Sequence, residues 1–229
     1  MVLPCASMTS SEQHELPRVW SIVVGAGSGS RFGGLKQYEV VGKERVIDRS
    51  VATARLASEG VVVVVPPADA ETEGGIAGGA SRSASVRNGL DHVPADADII
   101  CVHDAARPFA SAQLFADVIA AVRAGADAAI PAVPVTDTIK IVAADGSGRV
   151  ESTPDRSTLV AVQTPQAFKA SALRNAHAAG ESGVDATDDA MLVERAGGVV
   201  VVVAGEQRNR KITTPEDLEW ARREVEHDF

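Results

Sequence analysis

Five short apolar runs, Val19 to Val24, Val61 to Val65, Ile99 to Val102, Ala128 to Pro131 and Val199 to Val203, constrain the fold of this chain more than any other feature. Each is too short for a helix, and most are rich in valine or isoleucine, whose branched side chains suit a pleated surface. Their near-continuous hydrophobicity predicts strands buried on both faces. Between them, Ile47, Val51, Ala54 and Ala57 recur at helical spacing before Gly60, and Leu114, Val118 and Ala121 do so after Ser111, a residue type that caps helices. Thr214 as cap, Pro215 in the first position and Asp217 in the first turn signal a last helix. Strands alternating with helices predict an α/β fold with a mainly parallel sheet.

One segment breaks the alternation. Thr138 to Val142, the turn-like Asp145-Gly146-Ser147-Gly148 and Val150 to Ser152 predict an inserted β-hairpin. A two-stranded hairpin alone is marginal in water, so it needs a surface to pack on. A second subunit would provide one, which makes residues 134–158 a candidate dimerisation arm; the parent domain is the alternative.

The first predicted strand runs into Gly25-Ala26-Gly27-Ser28-Gly29-Ser30-Arg31-Phe32-Gly33, with Lys36 close behind. Glycines let a backbone turn tightly and bring its N–H groups against an anionic oxygen, while Arg31 and Lys36 add full positive charge. The stretch reads as a phosphate-gripping loop for a nucleoside phosphate, with a bare structural turn as the alternative. It is not a Walker A loop, because Gly29 to Gly34 is followed by Leu35 where that loop needs lysine. Nor is it a dinucleotide fingerprint: Gly25-x-Gly27 leads to Ser30, and the second strand ends in Pro66-Pro67 instead of an acidic residue. The downstream catalytic loop of a protein kinase is not visible either.

At 229 residues the chain suits one domain, assigned to residues 18–229. Residues 1–17 are polar, lack the apolar core of a signal peptide and are expected to form a disordered leader. A net charge of −9 argues against nucleic-acid or acidic-membrane partners, which are met by basic surfaces. No apolar run approaches the ~20 residues that span a bilayer. Cys5 and Cys101 are too few for a disulfide framework, and a cytoplasmic setting is expected. Five lysines stand beside seventeen arginines, so Lys36, Lys140 and Lys211 stand out from ordinary surface charge.

Beyond the glycine loop and Lys36-Gln37, the chain carries Gly78-Gly79-Ala80-Ser81-Arg82-Ser83-Ala84-Ser85-Val86, Val102-His103-Asp104-Ala105-Ala106-Arg107-Pro108 and Val135-Thr136-Asp137-Thr138-Ile139-Lys140. Pro154-Asp155-Arg156, Gln163-Thr164-Pro165-Gln166, Thr187-Asp188-Asp189-Ala190 and Lys211-Ile212-Thr213 follow. In order and spacing this series closely resembles the motifs of the 2-C-methyl-D-erythritol 4-phosphate cytidylyltransferase family, from about Val19 to Glu224. His-Asp-Ala-Ala-Arg-Pro is its most specific block. The loop departs from the family pattern: Val24-Gly25-Ala26-Gly27 replaces Pro-Ala-Ala-Gly, and Leu35 replaces the proline before the lysine.

The resemblance implies a single Rossmann-like nucleotidyltransferase domain that couples CTP to methylerythritol phosphate with Mg²⁺ and releases pyrophosphate in non-mevalonate isoprenoid synthesis. By resemblance, Arg31 and Lys36 bind the triphosphate and stabilise the transition state, and Arg156 and Lys211 hold the acceptor phosphate. Gly25, Ala26, Gly27, Ser28, Gly29 and Ala105 are implied at the nucleotide. Gly78, Gly79 and Ser85 are implied at its cytosine, with a glycine hinge before a helix from Ser83 to Asp91 as the alternative. Asp104, Arg107, Thr138, Thr164 and Thr187 are implied at the acceptor, with a surface ion pair as the alternative for Arg107 and a local cap for Thr164 and Thr187. Asp104 would also meet Mg²⁺, or else cap the turn before Pro108. If Arg156 lies at the base of the arm, it and Thr138 would reach the neighbouring subunit's site in a homodimer. The helix and strand expected between Val65 and Gly78 read as trimmed. A ribitol 5-phosphate cytidylyltransferase and a noncatalytic nucleotide-binding regulator remain as rival readings.

Overall fold

The computed structural model describes residues 17–27, 29, 31–179 and 186–226; the expected leader, apart from its last residue, and Ser28 lie outside them. The chain begins with β1 (Val19–Val24) and passes through the small ribbon of β2 (Val40–Val41) and β3 (Glu44–Arg45) into α1 (Val46–Ala57). Next come β4 (Gly60–Val65), α2 (Ala70–Glu73), β5 (Ile76–Ala77), α3 (Arg82–Leu90), β6 (Ile99–Asp104), α4 (Ala112–Arg123) and β7 (Ala128–Pro134). The hairpin β8 (Ile141–Val142) and β9 (Val150–Ser152) is followed by β10 (Val160–Val162), β11 (Gln166–Lys169), α5 (Ala170–Ala179), α6 (Asp189–Arg195), β12 (Val200–Ala204) and α7 (Pro215–Glu226). The valine-rich runs are thus strands and the periodic segments helices, as their patterns predict.

β1 pairs in parallel with β4 and β6, β4 with β5, and β7 with β12. The sequence did not announce β11, which slots between β6 and β7 and runs antiparallel to both. β10 is antiparallel to the far end of β7 on the same side, so β10 and β11 form one strand line broken at Gln163-Thr164-Pro165. All six residues of β6 are buried, as a central strand covered on both faces requires.

Two apolar layers sandwich the sheet. α1 and α4 pack Ile47, Val51, Leu114, Phe115 and Val118 on one face; α3, α5 and α6 pack Val86, Leu90, Leu173 and Val193 on the other. Ser111 caps α4 through Leu114 N–H at 3.0 Å. Gly89 brings α3 close against β1: a Cβ there would lie 2.7 Å from Ile22 Cγ2. A third cluster, Val41, Val46, Phe109, Ile212 and Leu218, fastens α7 to the ribbon. The stretch from Val65 to Gly78 is short but complete, with four residues in α2 and two in β5. Among the described residues no helix is long and apolar enough to cross a membrane.

The hairpin forms a separate two-stranded sheet, with Ile141, Val142 and Val150 exposed. Ala143 N–H bonds to Arg149 C=O across a turn in which Gly146 and Gly148 take φ of 76° and 71°, values that favour glycine.

Candidate active site

The carboxyl ends of β1 and β6 lie side by side, with Val24 in register with Asp104, and a cleft of about 480 Å³ opens beyond them. This is where α/β sheets place ligands. The glycine loop forms one wall and its glycines do different jobs. Gly25 is pinned by its N–H to Val64 C=O at 2.7 Å. Gly29, at φ 65°, accepts from the N–H groups of Phe32 and Gly33, and a Cβ would run into the Gly34 carbonyl. Gly27 has open space around it and lines the cleft with Gly25, Ala26 and Gly29. Arg31 and the half-buried Lys36 line the same opening. Burial pushes the Lys36 ammonium below its ordinary value, and the charges of Lys211 and Arg31 push it further. Four cations, Arg31, Lys36, Arg82 and Lys211, crowd a cleft lined by a single carboxylate.

Asp104 is the carboxylate among the cleft-lining residues, and it is buried. Its Oδ2 accepts from Lys211 Nζ at 2.6 Å and its Oδ1 from Arg82 Nε at 3.1 Å. Burial alone would raise its pKa; Arg82, Lys211 and Arg107 outweigh that and hold the carboxyl well below the usual range. Lys211 is aimed by its neighbours. Ile212 is fully buried and donates its N–H to Ala106 C=O at 2.8 Å, while Asp217 accepts from Thr213 and Thr214 N–H, each at 2.9 Å. Asn209, also fully buried, donates to Thr164 C=O at 2.9 Å.

A second pocket of about 330 Å³ shares Arg82, Asp104 and Lys211 with the first and adds Arg107, Thr164, Gln166 and Thr187. Arg107 Nη1 donates to Asn209 C=O at 2.7 Å. Thr164 Oγ1 accepts from Asp104 N–H at 3.0 Å and sits 3.1 Å from His103 Nδ1, while His103 Nε2 lies 3.2 Å from Arg107 C=O. A neutral imidazole satisfies this pattern, with Nε2–H donating to the carbonyl and Nδ1 accepting from the threonine. Burial lowers the His103 pKa to about 4 from 6.5. As the pH falls between those values, the unfolded histidine takes up a proton that the folded one refuses, so stability falls with it. Urea unfolding is expected to lose up to roughly 3 kcal/mol from pH 6.5 to 4. His103→Gln, with no proton to accept, should flatten that window.

The cleft therefore gathers Gly25, Ala26, Gly27, Gly29, Arg31, Lys36, Gly79, Ser85, Asp104, Ala105 and Lys211, and the second pocket Arg107, Thr164 and Thr187. Gly78 stands behind the wall, its N–H on Val65 C=O at 2.8 Å. Ser85 Oγ donates to Ser81 C=O and accepts from Gly79 N–H, so its hydroxyl braces the turn beside the cleft. Arg156 and Thr138 are exposed on the arm and line neither pocket of this chain; Arg156 Nη1 donates to Thr136 C=O at 2.7 Å. Sequence reasoning quoted Arg82 within a motif without giving it a role, and missed Asn209 and His103 as supports of the site. Ser81-Arg82 at a helix start and Asn209 two residues before Lys211 were the available signals.

Among the described residues no three His, Cys, Asp or Glu side chains converge into a metal cage. One carboxylate in a cleft lined by cations nevertheless suits Mg²⁺, which keeps waters and is held by one or two carboxylates plus substrate phosphates.

A family model described as 2-C-methyl-D-erythritol 4-phosphate cytidylyltransferase matches residues 19–227. The bifunctional enzyme IspD/IspF of Anaeromyxobacter dehalogenans is 48% identical over 221 residues, covering 90% of this chain and 56% of that protein. Its counterpart in Solidesulfovibrio magneticus is 43% identical over 224 residues, covering 87% and 55%. The chain spans about half the length of the curated relatives it matches. Among solved structures, 4-diphosphocytidyl-2C-methyl-D-erythritol synthase from Anaerococcus prevotii matches with a TM-score of 0.80 and 30% identity over 92% of this chain and 99% of its own. The 2-C-methyl-D-erythritol 4-phosphate cytidylyltransferase of Thermus thermophilus does so with a TM-score of 0.75 and 33% identity over 90% and 98%. Apart from those on the arm, the motifs that suggested a resemblance meet at the two adjoining pockets, and the match runs through nearly all of the described residues: the chain belongs to the 2-C-methyl-D-erythritol 4-phosphate cytidylyltransferase family.

Proposed function

We propose that the protein transfers the cytidylyl group of CTP to 2-C-methyl-D-erythritol 4-phosphate, forming 4-diphosphocytidyl-2-C-methyl-D-erythritol and pyrophosphate. The observation that carries this reading is the pair of adjoining pockets that share Arg82, Asp104 and Lys211, one with the glycine loop and the other with Arg107 and Thr164. An oxygen of the acceptor phosphate attacks the α-phosphorus as the bond to the β-phosphate oxygen breaks, and pyrophosphate leaves with the electron pair. The acceptor phosphate is already ionised near neutral pH, so positioning and charge stabilisation suffice without a general base. Arg31 and Lys36 receive the triphosphate and the charge that builds on phosphorus. Lys211, held by Asp104, presents the acceptor phosphate, and backbone groups around Gly79 and Ser81 face the cytosine. Asp104 would hold Mg²⁺, which supplies charge neutralisation on the triphosphate when bound.

The acceptor side is completed by a second copy. Exposed Ile141, Val142 and Val150 on the hairpin, with Val160 and Val162 on β10, support an interface between subunits through the arm. Arg156 and Thr138 then enter the neighbouring site. Two cysteines in the chain, with Cys101 free and buried, fit a reduced cytoplasmic setting.

The test is pyrophosphate release with Mg²⁺ and CTP, comparing methylerythritol 4-phosphate, ribitol 5-phosphate and no acceptor. Release with the first alone is expected, from a protein of about twice the 23.7 kDa chain mass. Release with ribitol phosphate alone moves the substrate. No release from a folded protein that binds CTP supports a regulator.

A further inference from the structure

We propose that His177 on α5 and Asp189 on α6, neither of which lines the cleft, are positioning residues that set the acceptor side of the site through the Arg82 guanidinium. The kinetic consequence rests on the transfer reading above; the geometric link does not. His177 Nε2 donates to Asp189 Oδ1 at 2.9 Å, and Asp189 Oδ2 accepts from Arg82 Nη1 at 2.6 Å. Arg82 Nε continues to Asp104, and Asp104 to Lys211, so one unbroken line of charged hydrogen bonds joins the helical layer to the pocket.

His177 and Asp189 are 2% and 1% exposed. Burying a carboxylate is costly, and an apolar pair would join α5 to α6 at lower cost. What the ionic arrangement adds is direction. Arg82 is the first residue of α3, and its planar fork spans two carboxylates, one in the core and one in the cleft. With Nη1 and Nε both committed, the plane of the guanidinium is set, and with it the Asp104 oxygen left for Lys211. Arg82 Nη2 remains buried with no protein partner. Burial would raise the Asp189 pKa, but Arg82 and His177 outweigh it, so the carboxylate stays charged and keeps its grip. Without the His177 donor, Asp189 is held by Arg82 alone, and the fixed reference that orients the guanidinium is lost.

The experiment compares wild type, His177→Leu and His177→Gln, the glutamine placing an N–H donor near the lost Nε2. Kinetics with each substrate varied separately are joined to hydrogen exchange of the Arg82 Nε–H proton, followed by NMR and identified by its loss in Arg82→Lys. His177→Leu is expected to lower kcat/KM for methylerythritol phosphate about tenfold, as a small misplacement of a positioning group does, and to raise KM for CTP by less, because the residues displaced line both pockets. It should also speed exchange at Arg82, and His177→Gln should restore both. Wild-type kinetics and exchange in His177→Leu overturn the proposal. So do equal losses toward both substrates that glutamine fails to rescue, the mark of a merely structural role. If His177→Leu does not fold, Asp189→Asn must show the same split between substrates or the proposal falls. A wild-type protein that releases no pyrophosphate removes the transfer reading instead, and the Arg82 exchange difference alone then decides the link.

Discussion

Lys36→Met is expected to lower turnover about 10²–10³-fold while leaving the unfolding midpoint at or above that of the wild type. The two halves of that result have one cause. Lys36 is half-buried, and both burial and the charges of Lys211 and Arg31 disfavour its ammonium. In the free protein it is a cation held in a place where a cation is unwelcome, so its removal relieves repulsion and costs the fold little. In the proposed transfer the same position faces the charge that spreads over a five-coordinate phosphorus, which a preorganised cation stabilises. Pyrophosphate release and thermal unfolding on the same preparation check it. A fall in both together would make Lys36 a structural residue, and unchanged turnover would remove it from the reaction.

Asp104→Ala should destabilise the protein by about 2–3 kcal/mol, because it leaves the half-buried Lys211 and Arg107 without their counter-charge and Arg82 with Asp189 alone. A carboxylate that only capped the turn before Pro108 would lose nearer ~1 kcal/mol, so urea unfolding separates the roles. The double variant Asp104→Ala/Lys211→Met is expected to lose less than the two single losses combined, since each single change strands a partner that the double change removes. Additive losses would show that the 2.6 Å contact between them carries no coupling.

Much of the architecture was legible because local chemistry and burial agreed. The valine runs became β1, β4, β6, β7 and β12, and Ser111 and the Thr214-Pro215 pair began the helices they predicted. β11 was not legible. Its four residues, Gln166 to Lys169, carry no alternation or valine run, and what makes them a strand is the vacancy between β6 and β7 that they fill, a long-range pairing that a local pattern does not encode.

For the site, the glycine loop, Lys36 and Lys211 were readable as types of residue suited to phosphate and Asp104 as one suited to a metal or substrate hydroxyls, and the motif series ordered them along the chain. Their convergence was not. Asp104 and Lys211 are 107 positions apart and meet only because β6 ends beside β1 while Ile212 is drawn into the core below α7. Arg82 looked like one arginine among seventeen until the packing of α3 on β1, close at Gly89, placed its guanidinium between Asp104 and Asp189. By itself the sequence determined the five apolar strands, the helices with clear periodicity or caps and which side chains can hold an anion, because these depend on neighbours a few residues away. Only the tertiary structure decided which charges share one cleft and which acids neutralise them, because a buried charge takes its pKa and its direction from partners that folding brings from the far end of the chain.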